Sequence, residues 1–376
     1  MAFCLVASRA QAQVTTGILQ GSVTGSILNV ELPFAVVSIP QLSIERFTDQ
    51  QGRFSIAAVA IGRHDVIIRR IGFRPFHGTV VIEAAQPTRL DVQLTQLPAQ
   101  LATRVVQAMT RCPRPGAPDR VRDPIVASLV ELLRENAERY RLLASQHPFR
   151  YLQLRAMGVL RDSGLVVQQL DTVMIVSLAR GTYRPGRIVS RVRAPNGGTD
   201  FVMSLPTILD LADDLFARNH CFAYGGVMSH SGETWLRLDV RAADAIRGPD
   251  VHGSFYIDSA SSELRRMDLS MSRADRLPVQ LRNVEAVDVV TSFVGIAPGL
   301  SVIDQVCGLN RLRKPTINAA PSAANSAPST PTELQHLLGF EFTAPPPGVR
   351  KSGAVAPPAS WRLGVILPRE TVWCAP

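Results

Sequence analysis

A histidine and a glutamate three positions apart, His230 and Glu233, stand in the H-x-x-E spacing that can present two ligands to one zinc ion. Zinc catalysis also needs a distant third ligand and a carboxylate base, and His252 and His336 are the histidines that could be nominated. The pair sits in Gly225-Gly226-Val227-Met228-Ser229-His230-Ser231-Gly232, which reads as the tip of a flexible hairpin. With 7 histidines in the chain a fortuitous spacing is unsurprising. His230 and Glu233 are therefore the metal pair to test, and no catalytic, metal or cofactor-binding residue is assigned. Asp210, Asp213 and Asp214 form a second carboxylate group, but no histidine or further acid completes it, and it reads as the solvated face of a helix. The chain has no G-x-S-x-G elbow, no H-E-x-x-H, no phosphate loop and no G-x-G-x-x-G. The expectation is a non-enzymatic protein without a cofactor, with a zinc metallopeptidase as one alternative.

Cysteine chemistry is the next candidate. Of 5 cysteines, Cys4 lies in the leader described below, which leaves Cys112, Cys221, Cys307 and Cys374. With no C-x-x-C spacing, they suggest two disulfides formed in an oxidising compartment. Three pairings are open, and four buried thiols are the alternative. Cys112–Cys221 with Cys307–Cys374 is the favoured pairing, because each bridge would tie a linker or tail back onto a domain.

The compartment is suggested by the first residues. Phe3 to Ala7 is a short apolar run, and Ala10-Gln11-Ala12 fits the small-x-small rule, so residues 1–12 are expected to be a signal peptide cleaved before Gln13. The run is shorter than a full signal core, which leaves room for a true start upstream. No later stretch reaches the ~20 apolar residues of a transmembrane helix. The protein is expected in the periplasm, at the outer membrane, or secreted. A formal charge of +9 invites a nucleic-acid reading. The excess is nearly all arginine spread along the chain, and aromatics are only 6%. A phosphate-binding surface wants clustered charge with stacking rings, so nucleic acid is excluded as a partner.

Two domains and a tail are expected from 376 residues. The first, residues 13–106, is a series of short β-type runs: 18–23, 34–39, 47–56, 64–70, 79–83 and 90–94. The polar stretch 49–52 reads as a hairpin turn with Gly52 free to take positive φ. Asp49 and Arg53 are read as turn residues, and His64 and His77 as sheet or surface histidines. Regular short strands without a helical period predict an antiparallel β-sandwich.

Residues 107–122 are a proline-rich linker holding Cys112. An α+β domain follows over residues 123–313. Asp123-Pro124 opens a helix with Asp as N-cap. Ile125, Leu129, Leu132, Leu133 and Tyr140 make its buried stripe, with Glu131, Arg134, Glu135, Glu138, Arg139 and Arg141 on the wet face. A second helix is expected over 206–219 with Ile208, Leu211, Leu215 and Phe216 inward. Alternating runs at 152–156, 166–176, 187–192, 201–205, 221–224, 234–241, 253–258, 263–271 and 284–294 predict an antiparallel meander. Trp235, Leu236, Leu238 and Val240 are set against Arg237, Asp239 and Arg241. Residues 314–332 read as a disordered linker, and 333–376 as a tail docked back on this domain. The fold class is mainly β with some α: a sandwich, then a curved antiparallel sheet with two helices.

Residues 17–97 resemble the carboxypeptidase regulatory-like domain, a transthyretin-like sandwich. The features that carry this are Gly21-Ser22-Val23, Leu32-Pro33-Phe34-Ala35-Val36-Val37, Thr48-Asp49-Gln50-Gln51-Gly52-Arg53-Phe54, Gly62, Arg70-Ile71-Gly72-Phe73-Arg74-Pro75 and Val92-Gln93-Leu94. Leu32 departs from the small turn residue common there. The resemblance implies a folding, docking or binding module, because fold alone confers no activity. The run 253–258 with 263–269 is similar to a strand–turn–strand unit of periplasmic lipoprotein-carrier proteins, where a curved sheet wraps an apolar cavity. Exported bacterial proteins that pair such a sandwich with such a sheet resemble it too, including a segment like Asn219-His220-Cys221-Phe222. Together these imply a sandwich joined to a domain that binds an apolar or polymeric ligand. The partner classes are another envelope protein, a polysaccharide or an apolar ligand, and the alternative function is a periplasmic lipid or lipoprotein carrier or sensor. The carrier reading predicts an open cavity lined by Val, Leu and Met.

Overall fold

The computed structural model describes residues 15–84, 86–96, 109–178, 183–193, 197–297, 299–313 and 330–372. The expected signal peptide and the spacer 314–329 lie outside the described residues, as does Cys374. The chain divides into two compact units, Met1–Leu97 and Pro98–Pro376.

The first unit contains β1 (Thr16–Gly25), β2 (Val36–Ile39), β3 (Ile44–Phe47), β4 (Arg53–Ala60), β5 (Gly62–Arg69), β6 (Phe76–Ile82), β7 (Thr88–Arg89) and β8 (Val92–Leu94). One sheet has the order β4-β1-β7 with β8 also on β1, and the other has the order β3-β2-β5-β6. Alternate residues of both sheets turn inward, so Leu19, Phe54, Ile56, Val37, Ile39, Val66, Ile68, Val80 and Ile82 join in one core. This is the expected sandwich. Its closing strands β7 and β8 run parallel to β1, because the chain arrives there by crossing from β6 in the other sheet. The stretch 49–52 is a tight turn, but β3 and β4 belong to different sheets, so it turns a corner rather than closing a paired hairpin. Gly52 takes φ +69°, and a Cβ there would come within 2.5 Å of the Val23 carbonyl, so both the conformation and the space require glycine.

The second unit opens with a segment that packs onto the sheet rather than linking freely. Cys112 is fully buried, its N–H donates to Asp244 (3.0 Å), and its carbonyl accepts from the Asp244 N–H (2.8 Å). Helix α1 (Pro124–Gln146) follows. Val126, Leu129, Leu133, Ala137, Tyr140 and Ala144 repeat every three or four residues on its buried stripe. Asp123 and Pro124 stand at the N-cap and the first helical position as expected, although the Asp123 side chain makes no cap bond. One expectation fails: Glu135 and Arg139, placed on the wet face, are buried at 9% and 5% exposure. The helix is covered on more than one side, which a single stripe does not reveal.

The strands of this unit are β9 (Phe149–Arg161), β10 (Gly164–Val176), β11 (Val189–Arg193), β12 (Thr199–Met203), β13 (His220–His230), β14 (Glu233–Ala242), β15 (Asp250–Asp258), β16 (Leu264–Ser272), β17 (Val284–Ala297), β18 (Leu300–Leu312), β19 (Thr330–Phe342), β20 (Ser352–Ala354) and β21 (Ile366–Leu367). Eleven of them form one antiparallel sheet in the order β13-β14-β15-β16-β17-β18-β19-β9-β10-β21, with β20 on β19. β11 and β12 pair separately. The alternating pattern gives no strand at β18 and leaves β19 to the spacer and tail. β19 is instead an interior strand, hydrogen-bonded to β18 on one side and β9 on the other. The expected helix over 206–219 shrinks to a 3-10 turn, Asp210–Ala212, and α2 (Asp214–Arg218). Leu215, expected inward, is exposed there, whereas Phe216 is buried.

The sheet has two apolar faces. One packs under α1 through Leu238, Val240, Val251, Phe255, Ile257, Met267 and Leu269. Asn136 of α1 clips this face to the β15–β16 turn. Its Nδ2 donates to the Ser262 carbonyl (2.9 Å) and its Oδ1 accepts from the Leu264 N–H (3.1 Å). On the other face Ala156, Leu160, Leu165, Val167, Leu309 and Leu334 are covered by Leu367, Val372 and Trp361, so the C-terminal segment docks on this domain as expected. Trp235 lies in the alternate row with Arg237, Asp239 and Arg241, because period-2 alternation separates it from Leu236.

Candidate functional site

Between α1 and its face of the sheet lies a cavity of about 310 Å³. Met267 and Leu269 of β16, Val289, Thr291 and Phe293 of β17, and Val302 and Val306 of β18 form its floor. Tyr151 of β9 and Ile175 of β10 form the far wall, Tyr140 of α1 a near one, and residues 205–209 a cover. β10 and β16 are five strand spacings apart, which in a flat sheet is about 24 Å at about 4.8 Å per spacing. Side chains of both line one small cavity, so the sheet bends around it as expected.

The cover is positioned by a buried polar cluster. Asp250, fully buried, accepts the Tyr183 hydroxyl (2.9 Å), the Gly186 N–H (2.7 Å) and the Val251 N–H (2.8 Å). His220, also fully buried, sets Nε2 3.6 Å from Asp250, stacks on Phe216 at 4.2 Å and bonds through Nδ1 to the Phe216 carbonyl. Burial and the Asp250 charge push the Tyr183 phenol far above its ordinary value, so it stays a donor. Next in the chain, Ser204 donates its N–H to the Ile188 carbonyl, and Asp210 accepts the N–H and hydroxyl of Thr207. Tyr183 and Gly186 thereby tie the start of this cover to Asp250 on β15, and the Ser204 and Asp210 bonds brace it internally.

The cavity wall is mostly aliphatic, with few polar atoms. Burial raises the phenol pKa values of Tyr140 and Tyr151, and for Tyr140 the nearby Tyr151 adds to it. Both remain neutral at any physiological pH. Ser301 is 6% exposed, and its Oγ has no hydrogen-bond partner among the described residues. Gln153, two residues beyond Tyr151 on the same face of β9, is fully buried, and neither amide atom has a partner among the described residues. Val176, which also lines the cavity, is 53% exposed and marks its link to solvent.

The residues singled out in the sequence lie elsewhere. His230 and Glu233 flank the two-residue turn between β13 and β14. The His230 ring packs on Trp235 at 4.4 Å, and Glu233 accepts the Trp235 indole N–H at 2.8 Å. His252 pairs with Arg241, eight residues along β14 from Glu233 and hence about 26 Å away. His336 is on β19, five strands from β14. These groups do not converge, and among the described residues no group of three or more His, Cys, Asp or Glu could hold a metal ion.

The three aspartates are each occupied. Asp210 holds Thr207, Asp213 caps α2 by accepting the Leu215 N–H (2.7 Å), and Asp214 pairs with Arg134. In the sandwich, Asp49 accepts the N–H groups of Gln51 and Arg53 and the Arg53 guanidinium, as a turn residue should. His64 on β5 bonds to the Ala60 carbonyl at the end of β4, across the connection between the two sheets, and His77 is exposed on β6. Cys112 and Cys221 form a disulfide across 109 residues of chain. Cys307 is disulfide-bonded as well.

Comparison with known proteins gives a family for the first unit only. Residues 18–95 match the model of the carboxypeptidase regulatory-like domain. No curated protein matches the chain. Among solved structures, the minor pilin GBS52 of Streptococcus agalactiae is similar at 15% identity over 26% of this chain and 49% of its own, with a TM-score of 0.21. The chain thus spans about half the length of that pilin. A putative outer membrane lipoprotein-sorting protein domain from Vibrio parahaemolyticus is similar at 10% identity over 59% of this chain and 95% of its own, with a TM-score of 0.31. A LolA superfamily protein from Nitrosomonas europaea gives 8%, 61%, 94% and 0.28 for the same four quantities. The likeness to lipoprotein-sorting proteins is distant.

Proposed function

We propose that this is an exported, non-enzymatic cell-envelope protein whose large sheet domain holds an apolar ligand and whose sandwich serves as a docking module. The observation that carries this reading is the cavity between α1 and the sheet. Its volume of about 310 Å³ lies at the small end of ligand sites, about 300–1,000 Å³. Aliphatic lining with few polar groups suits one hydrocarbon chain, and a carrier or sensor of single-chain lipids is the form of the reading that this size favours. Export is supported by the Cys112–Cys221 disulfide, since such bridges persist in oxidising compartments. Docking through the sandwich is supported by the loop after β1, where Ile27, Leu28 and Val30 are 60%, 89% and 56% exposed.

Titration of the full chain with a fluorescent long-chain fatty acid tests the reading. Saturable binding at one site per chain is expected, weakened about tenfold or more by Val289→Phe, which fills the cavity with hydrocarbon the ligand would otherwise supply. Far-UV circular dichroism and a melting curve establish that the variant folds. Absence of saturable binding, or equal affinity in a folded Val289→Phe protein, overturns it.

A further inference from the structure

A second cavity, of about 510 Å³, opens where β14 and β16 end and β17 begins, and its lining is charged rather than apolar. Three guanidinium groups reach it from three separate elements: Arg241 on β14, Arg273 just after β16, and Arg313 just after β18. Each acid of the lining is accounted for differently. Asp244 accepts the Cys112 N–H and pairs with Arg111, and these contacts hold its carboxyl below the ordinary value. Asp275 pairs outward with Arg276 at 3.2 Å. Glu285 is exposed. Neither Arg241 nor Arg313 makes an ion pair among the described residues, so three cations face the space with one uncommitted acid beside them.

Two details point to a built site. Arg273 adopts a left-handed backbone, φ +55°, which a non-glycine residue takes at a cost and which concentrates at functional positions. Its Nη2 is pinned by the carbonyls of Ala243 (2.9 Å) and Asp244 (3.5 Å), which fixes the guanidinium before any ligand arrives. His252 adds a buried Nδ1 with no hydrogen-bond partner among the described residues. Burial first, and then the Arg241 charge, keep its imidazole below the ordinary pKa, so it is neutral and offers one donor and one acceptor. A carboxylate has only two oxygens for such an array. A phosphoryl group brings three acceptor oxygens and close to two charges.

We propose that this cavity takes the phosphoryl group of a small phosphate ester, gripped by Arg241, Arg273 and Arg313 with His252 at its wall. The ester is either a soluble metabolite or the headgroup of an anionic phospholipid, and the chemistry read by the site is the same. Calorimetric titration of the full chain with glycerol phosphate, and co-sedimentation with phosphatidylcholine vesicles with and without phosphatidic acid, test it together. One-site binding is expected in at least one arm, weakened about tenfold by Arg313→Gln and unchanged by Arg193→Gln, an exposed arginine of β11 outside the lining. Arg241→Gln serves as the second variant and is expected to act likewise. Binding only in the glycerol phosphate arm assigns a soluble ester, and binding only to phosphatidic acid assigns the headgroup. Val289→Phe is expected to leave both arms unchanged, which separates this site from the apolar cavity. No saturable binding in either arm, or equal loss in Arg193→Gln, overturns the proposal.

Discussion

In the sandwich, two sheets of four strands turn matching apolar rows toward each other, and Leu19, Val37, Phe54 and Ile68 meet in one cluster. In the second unit an 11-stranded sheet must cover its helix face with very little helix. Its ten side-by-side strands give nine spacings of about 4.8 Å, about 43 Å of width, whereas an α-helix with its side chains is about 10–12 Å across. α1 shields one band of that width. The described residues of 183–218 supply the rest with the β11–β12 pair, loops, a 3-10 turn and one short helix, and the cavity is the space this irregular cover leaves. Two matched sheets close on each other; a broad sheet under a narrow helix leaves an interior that a ligand can complete.

This contrast is broken most easily by truncating a leucine on each side of it. Leu19 is fully buried with neighbours all round, and Leu19→Ala should cost about 2–5 kcal/mol in a denaturant melt of the first unit. Leu269 is 3% exposed but faces the cavity, so part of its surface has no contacts to lose. Leu269→Ala is expected to cost about 1 kcal/mol less than Leu19→Ala. Equal losses would mean that the cavity wall is packed as tightly as the sandwich core.

The next largest effect is in acid. Burial alone would raise the Asp258 carboxyl, but the Ser261 hydroxyl, the N–H groups of Ala260 and Ser261 and the Arg265 charge together hold it below 3.8. A carboxyl lowered by folding contributes stability that is present above its unfolded value and is lost as pH falls through the folded one. The second unit should therefore weaken below pH 3.8, and Asp258→Asn should flatten that part of its stability profile. Asp91 of the sandwich is also lowered, first by the Ser22 hydroxyl and then by Arg89, but it is exposed and its contacts are screened. Asp91→Asn is expected to change the acid limb less. A larger effect at Asp91 than at Asp258 would reverse the comparison.

Where sequence carried the fold, it did so through local pattern. The sandwich is legible because each short strand is followed by its own turn chemistry, as Asp49 and Gly52 illustrate. β14 is legible because Leu236, Leu238 and Val240 alternate cleanly with charge. β18 escapes because its alternation is interrupted: the register shifts between Ser292 and Phe293 opposite Gln305 and Ile303, and a bulge resets which face each residue takes. β19 escapes because a compositional spacer precedes it and Pro331 is its second residue, while its pairing with β9 spans well over a hundred residues. The apolar cavity could be expected as a class, yet its lining could not be written down. Tyr140, Ser301 and residues 205–209 meet only through the bend of the sheet. His230 and Glu233 had the opposite fate: their spacing is that of a chemical motif, and their geometry is that of a hairpin turn stabilised by Trp235.

The smallest predicted effect separates the two interiors by sign. Thr48 in the sandwich is 2% exposed; its Oγ1 accepts the Ala35 N–H (2.9 Å) and donates to the Leu32 carbonyl (2.7 Å). Thr48→Val leaves both backbone groups without that partner and should cost about 1–3 kcal/mol. Ser301 is buried to a similar degree with an unpartnered Oγ, so Ser301→Ala removes an unmet desolvation cost and should be neutral or stabilising by about 1 kcal/mol in the ligand-free protein. The same substitution should weaken a fatty acid relative to a hydrocarbon of equal length, because only the acid offers oxygen to the serine hydroxyl. If Ser301→Ala destabilises the ligand-free protein as Thr48→Val does, the hydroxyl already has a partner. The polar point of the cavity then belongs to the fold and not to a ligand.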